Sequence, residues 1–134
     1  MTKIFSAELK ELDNVLAFVD VELEKVGCPM KIQSAIDVAL EEIFVNIANY
    51  AYPGSKGTAE IDVGADDKTR AITIRLVDSG VQFDPLAKPD PDTGLQANER
   101  AIGGLGIFMV KKMMDSVEYK YENNKNILVL KKFF

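Results

Sequence analysis

Apolar residues along this chain follow two rhythms, and each predicts a different backbone. A short alternation over Lys3 to Ala7 predicts a strand. From Leu9 the apolar positions recur at three- and four-residue steps, through Leu12, Leu16, Val19, Leu23 and Val26, and Gly27 follows. That spacing lays one apolar stripe along a helix, and glycine is the residue that ends a helix most easily. Pro29 opens a second, longer helix whose core face is Ile32, Ile36, Ala39, Leu40, Ile43, Phe44 and Ile47, closed by Pro53-Gly54. Two runs rich in Ile, Val and Thr follow, Thr58 to Val63 and Ala71 to Val77, and the polar turn Asp66-Asp67-Lys68 between them predicts a hairpin. The stretch from Asp84 to Gly94, dense in Pro, Gly and Asp, reads as a loop. A helical pattern returns over Gly103 to Met114, and Ser116 to Glu122 with Asn126 to Lys132 flank Asn123-Asn124-Lys125 as a closing hairpin. Strands grouped in hairpins with helices in blocks predict an α+β sandwich, one face of the sheet covered by helices.

Composition narrows what such a sandwich could do. The 134 residues suit one domain over 1–134, with 47% apolar residues for a core and 28% charged residues for the surface. A net charge of -5 argues against a nucleic-acid partner. Histidine is absent, so a Ser-His-Asp triad, an imidazole base and the commonest zinc ligand are excluded. A lone cysteine, Cys28, reads as a packed thiol in a reducing compartment. The opening segment carries Lys3, Glu8, Lys10 and Glu11 with no long uncharged run behind them, so no membrane span is expected and the cytoplasm is the expected location.

Three segments stand out from this frame. On the long helix, Glu42 and Asn46 are four residues apart and share a face, with Asn49 close to the same side; the stripe fits a solvated helix face as well as a site. Asp78-Ser79-Gly80-Val81-Gln82-Phe83 follows directly on an apolar strand, where sites collect. Its Asp either caps a turn, with Gly80 supplying a positive φ, or accepts a hydrogen bond from a ligand amino group beside a glycine that lets the ligand approach. Gly103-Gly104-Leu105-Gly106 opens a helix, so its backbone N–H groups and the helix end suit phosphate, although a glycine-rich turn without a ligand has the same composition.

In this order and spacing the three segments resemble the N, G1 and G2 boxes of the GHKL ATPase superfamily, the ATP-binding fold of gyrase and the sensor histidine kinases. Within it, Gly103-Gly104-Leu105-Gly106-Ile107-Phe108-Met109, with Met114-Asp115 behind it, looks most like the small bacterial anti-sigma factor serine kinases. The resemblance implies the two-layer Bergerat sandwich with a mixed, mainly antiparallel sheet. It implies Glu42 as the base that takes the proton from a substrate serine and Asn46 as the Mg2+ ligand. It further implies an ATP site made by Asn46, Asn49, Asp78, Gly80, Phe83, Gly103, Gly104, Leu105 and Gly106, under a lid spanning Asp84 to Ile102. Asp78 would take the adenine amino group, Gly80 would allow the base to approach, and Gly104 and Gly106 would offer N–H groups to the phosphates. The implied partners are a sigma factor and an anti-anti-sigma protein carrying the acceptor Ser or Thr, and relatives of this kind are commonly homodimers. Two departures stand in the chain: Tyr50 where close relatives usually have histidine, and Ile102 where some have arginine. The alternative from another class is an ATP-sensing interaction module of the same fold that transfers nothing.

Overall fold

The computed structural model describes residues 1–87 and 104–134. In chain order these form β1 (Thr2–Ser6), a single 3-10 turn (Leu9–Glu11), α1 (Leu12–Lys25), α2 (Met30–Tyr50), β2 (Thr58–Asp66), β3 (Ala71–Asp78), α3 (Gly104–Met113), β4 (Ser116–Glu122) and β5 (Lys125–Phe133). Every element expected from the apolar pattern is present, with ends moved by a few residues. The strands form one five-stranded sheet in the order β1-β2-β3-β5-β4. All four pairings are antiparallel, which corrects the expectation of a mixed sheet. The reason lies in the connections. Two helices between β1 and β2 bring the chain back reversed, hairpins join β2 to β3 and β4 to β5, and β5 inserts between β3 and β4, the two strands that run parallel.

Local chemistry sets the helix ends and turns. Gly27 has a φ of 69°, its N–H reaches the Glu24 carbonyl, and the Cys28 N–H reaches back to Leu23, the paired bonds of a Schellman ending to α1. Cys28 thereby packs against the core, as expected of it, and burial pushes its thiol pKa up, with the nearby Asp37 carboxylate adding to the shift. Pro29 caps α2 from just outside the helix, its carbonyl accepting the Gln33 N–H. Asn123 and Asn124 both have positive φ, as a tight hairpin of this twist requires.

Period-two alternation puts Ala59, Ile61 and Val63 of β2, Ile72, Ile74 and Leu76 of β3, and Leu128 and Leu130 of β5 on the helix-facing side. Against them pack Val15, Val19 and Leu23 of α1, Ile36, Leu40, Ile43 and Phe44 of α2, and Val110 of α3. The Phe5 and Phe18 rings meet edge to face at 5.7 Å and fasten the edge strand β1 to α1. Among the described residues no helix is long and apolar enough to cross a membrane.

One polar pair is half-buried where α1 meets α2. Asp20 and Asp37 each hold an Oδ1 shut off from solvent and without a donor in the described residues. Burial first, then the hydrogen bond that a protonated Asp37 gives to the Asp20 carboxylate, then the charge of Asp20 push the Asp37 pKa from 3.8 up to about 7. The folded chain therefore holds a proton that the unfolded chain releases near pH 4. Stability from this pair is full below that pH and is lost as pH rises through about 7. Asp37→Asn, which supplies a donor without a charge, is expected to raise the urea midpoint at pH 8 and to flatten its decline between pH 4 and 7. An unchanged pH profile would contradict the pairing.

Candidate functional site

The apolar face of the sheet ends in a polar row. Asp78 closes β3 and lies directly opposite Asn126 of β5, each two residues along from a core leucine. Both are buried, at 7% and 8% exposure, so their hydrogen bonds decide whether they can stay there. Asn126 is fully satisfied. Its Nδ2 donates to Asp78 Oδ1 at 3.0 Å and to the Val81 carbonyl at 2.8 Å, while its Oδ1 accepts from the Phe83 N–H at 3.1 Å and from the Tyr119 hydroxyl. Burial pushes the Tyr119 pKa up, the Asp84 and Asp78 charges adding to the shift, so the phenol keeps its proton and remains a donor. Asp78 Oδ1 also accepts the Gly80 N–H at 2.9 Å. Its second oxygen has no partner among the described residues, and the side chain lines a pocket.

That pocket is a partly open slot with a cavity volume of about 50 Å3. Its walls are apolar, from Ile43 and Ile47 of α2, Leu76 and Leu128 of the sheet and the buried Pro85, with Val81 and Phe83 exposed at the rim. A slot of this kind with one convergent carboxylate suits a flat heterocycle carrying an amino group. Asn46 lines it from α2, half-buried, its side-chain amide unpaired among the described residues. Phe83 is 41% exposed at the rim.

The chain that follows Asp78 is tied down at each successive amide. Ser79 N–H donates to the Tyr52 hydroxyl, which itself donates to the Thr58 carbonyl, and Val81 N–H donates to the Ala51 carbonyl at 2.8 Å. Gly80 lies between them so close to the end of α2 that an added Cβ would stand 2.2 Å from the Ala51 carbonyl oxygen. Its φ is not positive, so room and not handedness is what it supplies. The atom it makes room for belongs to the protein, which differs from the expected approach of a ligand. Gly80→Ala is accordingly expected to lower stability by about 1–3 kcal/mol, read as a reduced urea midpoint, because the obstruction is backbone that cannot rotate away.

At the other end of the stripe, Glu42 is half-buried against α3. A Cβ on Gly106 would lie 2.1 Å from Glu42 Oε1 and 2.6 Å from its Cγ, so carboxylate and glycine are in direct contact. Glu42, Asn46 and Tyr50 succeed one another at four-residue steps along α2, an axial run of about 12 Å. The run starts at the first turn of α3 and finishes at the pocket beside Asp78. Asn49 is exposed and does not line the pocket. Gly104 begins α3; Leu105 lies in the same turn, whereas Gly103 and most of the expected lid lie outside the described residues. Asn126, Tyr119, Tyr52 and Ala51 were not among the expected site residues. Only Asn126 had a legible signal, as a polar residue in phase with Leu128 and Leu130 on the core face of the last strand.

No group of three or more His, Cys, Asp or Glu side chains gathers among the described residues. The donor set at Asn46, a lone amide oxygen, fits a Mg2+ ion held mainly by water and phosphate and would not fit a metal that needs an all-protein cage.

The Serine-protein kinase RsbW of Listeria monocytogenes serovar 1/2a is 27% identical over 100 residues, covering 72% of this chain and 63% of that protein. The Serine-protein kinase RsbW of Oceanobacillus iheyensis is 30% identical over 100 residues, covering 71% of this chain and 61% of that protein. The match thus spans less than two thirds of the length of these curated relatives. Residues 5–132, nearly the whole chain, match the family described as Histidine kinase-like ATPase domain. A pocket with a single buried carboxylate, reached along one helix face from a glycine-led helix, is therefore met in a chain that belongs to the histidine kinase-like ATPase domain family.

Proposed function

We propose that this chain binds ATP and acts as a protein serine/threonine kinase and anti-sigma factor. It would transfer the γ-phosphate to a Ser or Thr of an anti-anti-sigma protein, and that modification would control its hold on a sigma factor. The observation that carries the reading is the course of the α2 stripe, from Glu42 at Gly106 of α3 through Asn46 to Tyr50 at the Asp78 pocket. It separates a recognition end from a reaction end by about 12 Å along the helix axis. The names of the relatives support a serine-protein kinase; the sigma-factor and anti-anti-sigma partners and a homodimer come from the family resemblance, whereas a single domain over 1–134 and a cytoplasmic setting come from the length, composition and charge pattern of the sequence.

In this reading Asp78 accepts a hydrogen bond from the adenine amino group through the oxygen that Gly80 and Asn126 leave unused. The N–H groups of Gly104 and Gly106, at the positive end of α3, face phosphate oxygens. Glu42 takes the proton of the acceptor hydroxyl as its oxygen bonds to the γ-phosphorus and the bond to the departing ADP oxygen breaks. Such a transfer depends chiefly on positioning and charge neutralisation, so a carboxylate suffices without histidine. Asn46 would hold Mg2+, which when bound neutralises phosphate charge.

Calorimetric titration of ATP with and without magnesium, followed by incubation of labelled ATP with a purified anti-anti-sigma protein, tests the reading. Saturable, magnesium-strengthened binding and label on Ser or Thr are expected. Stoichiometric partner binding with no label would replace the kinase by a nucleotide-sensing interaction module, and folded protein that does not bind ATP would overturn both.

A further inference from the structure

Gly106 has two separable consequences in the first turn of α3. Its backbone N–H is available to an anion. Its missing side chain leaves the space in which the Glu42 carboxylate lies, for a Cβ there would meet Oε1, Cδ and Cγ of Glu42 at 2.1, 2.3 and 2.6 Å, far inside the 3.4–4 Å of ordinary contact. Alanine would keep the N–H and fill the space. Alanine is also the better helix former, so a glycine retained only for the helix has no local advantage here.

We infer that Gly106 is a positioning residue for Glu42: the bare Cα of α3 is the seat that directs the Glu42 carboxylate, so the element at the phosphate end of the site also aims the proposed base. The catalytic consequence rests on the kinase reading above, whereas the seat itself rests on the contact alone. With a methyl at 106 the Glu42 side chain must turn off its seat, because α2 and α3 are in contact and are both anchored in the close-packed core that holds Ile43, Ile107 and Val110. Nucleotide contacts made by Asp78 and by the backbone of α3 stay in place.

Two readouts on one set of variants test this. The first is the urea midpoint of wild type, Gly106→Ala, Glu42→Ala and the double variant. The seat requires coupling: Gly106→Ala lowers the midpoint in the wild-type background and leaves it level or raises it once Glu42 is truncated. Additive midpoints overturn the seat whatever the chain catalyses. The second is phosphoryl transfer and ATP affinity. Gly106→Ala is expected to lower kcat at least 30-fold with KM and Kd for ATP within threefold, and to add no further loss in a Glu42→Gln background. Coupled midpoints with unchanged kcat would overturn the positioning role, as would a loss confined to ATP affinity. If wild type transfers nothing, the kinase reading fails, and the midpoints alone still decide for or against the seat.

Discussion

Glu42→Gln is expected to slow phosphoryl transfer by about 10²- to 10⁴-fold, the usual contribution of a positioned general base, while leaving ATP affinity nearly unchanged. Glutamine matches glutamate in length and shape, so it fits the same space against Gly106. Among the described residues no donor depends on the Glu42 carboxylate, and the exchange strands no buried group. Only the capacity to take a proton is removed. Single-turnover transfer of labelled phosphate, with ATP binding followed by calorimetry on the same protein, separates the two quantities. Equal transfer rates for wild type and Glu42→Gln would show that the base lies elsewhere or that positioning alone carries the reaction.

Asp78→Asn is expected to weaken ATP binding by roughly 10- to 100-fold, from the loss of a hydrogen bond to a charged acceptor worth about 1.5–3 kcal/mol. The substitution is selective because of what each oxygen does. An asparagine oxygen can still accept the N–H of Gly80 and the Nδ2 of Asn126, so the polar row at the end of the sheet stays paired. The position of the unused oxygen becomes an amide N–H2 facing an adenine amino group, donor against donor. The urea midpoint should therefore shift little compared with the affinity. Calorimetric titration gives the binding constant, and undiminished affinity would remove adenine from this pocket.

Local sequence carried most of the architecture because each element announces itself within its own span. The stripe from Leu9 to Val26, the glycine after it and the asparagine pair of the last hairpin all act within a few residues of themselves. The inserted position of β5 was not legible. Its register with β3 joins residues 48 apart, and no local rhythm encodes which strand a hairpin will flank. For the same reason Asp78 reads as a candidate ligand group while Asn126, which orients it, reads only as the start of a strand. Gly80 and Gly106 were legible as glycines at meaningful places but not in their steric roles, since what a missing side chain makes room for depends on another element. Asp20 and Asp37 each look like ordinary outer-face acids of their own helices; only the packing of α1 on α2 sets one against the other.

The bond from Asn126 to Asp78 also dates the pocket within the life of the chain. Apart from Leu128, the residues that line the slot, from Ile43 to Tyr119, are synthesised before Asn126, yet Asp78 is not oriented and the Val81 carbonyl and Phe83 N–H are not satisfied until the last hairpin docks beside β3. A nascent chain that ends before residue 126 has the helix stripe and the glycine-led helix but no finished recognition end. On the proposed reading nucleotide capture requires the completed sheet, and ATP would favour closure of the final strand over partly assembled forms.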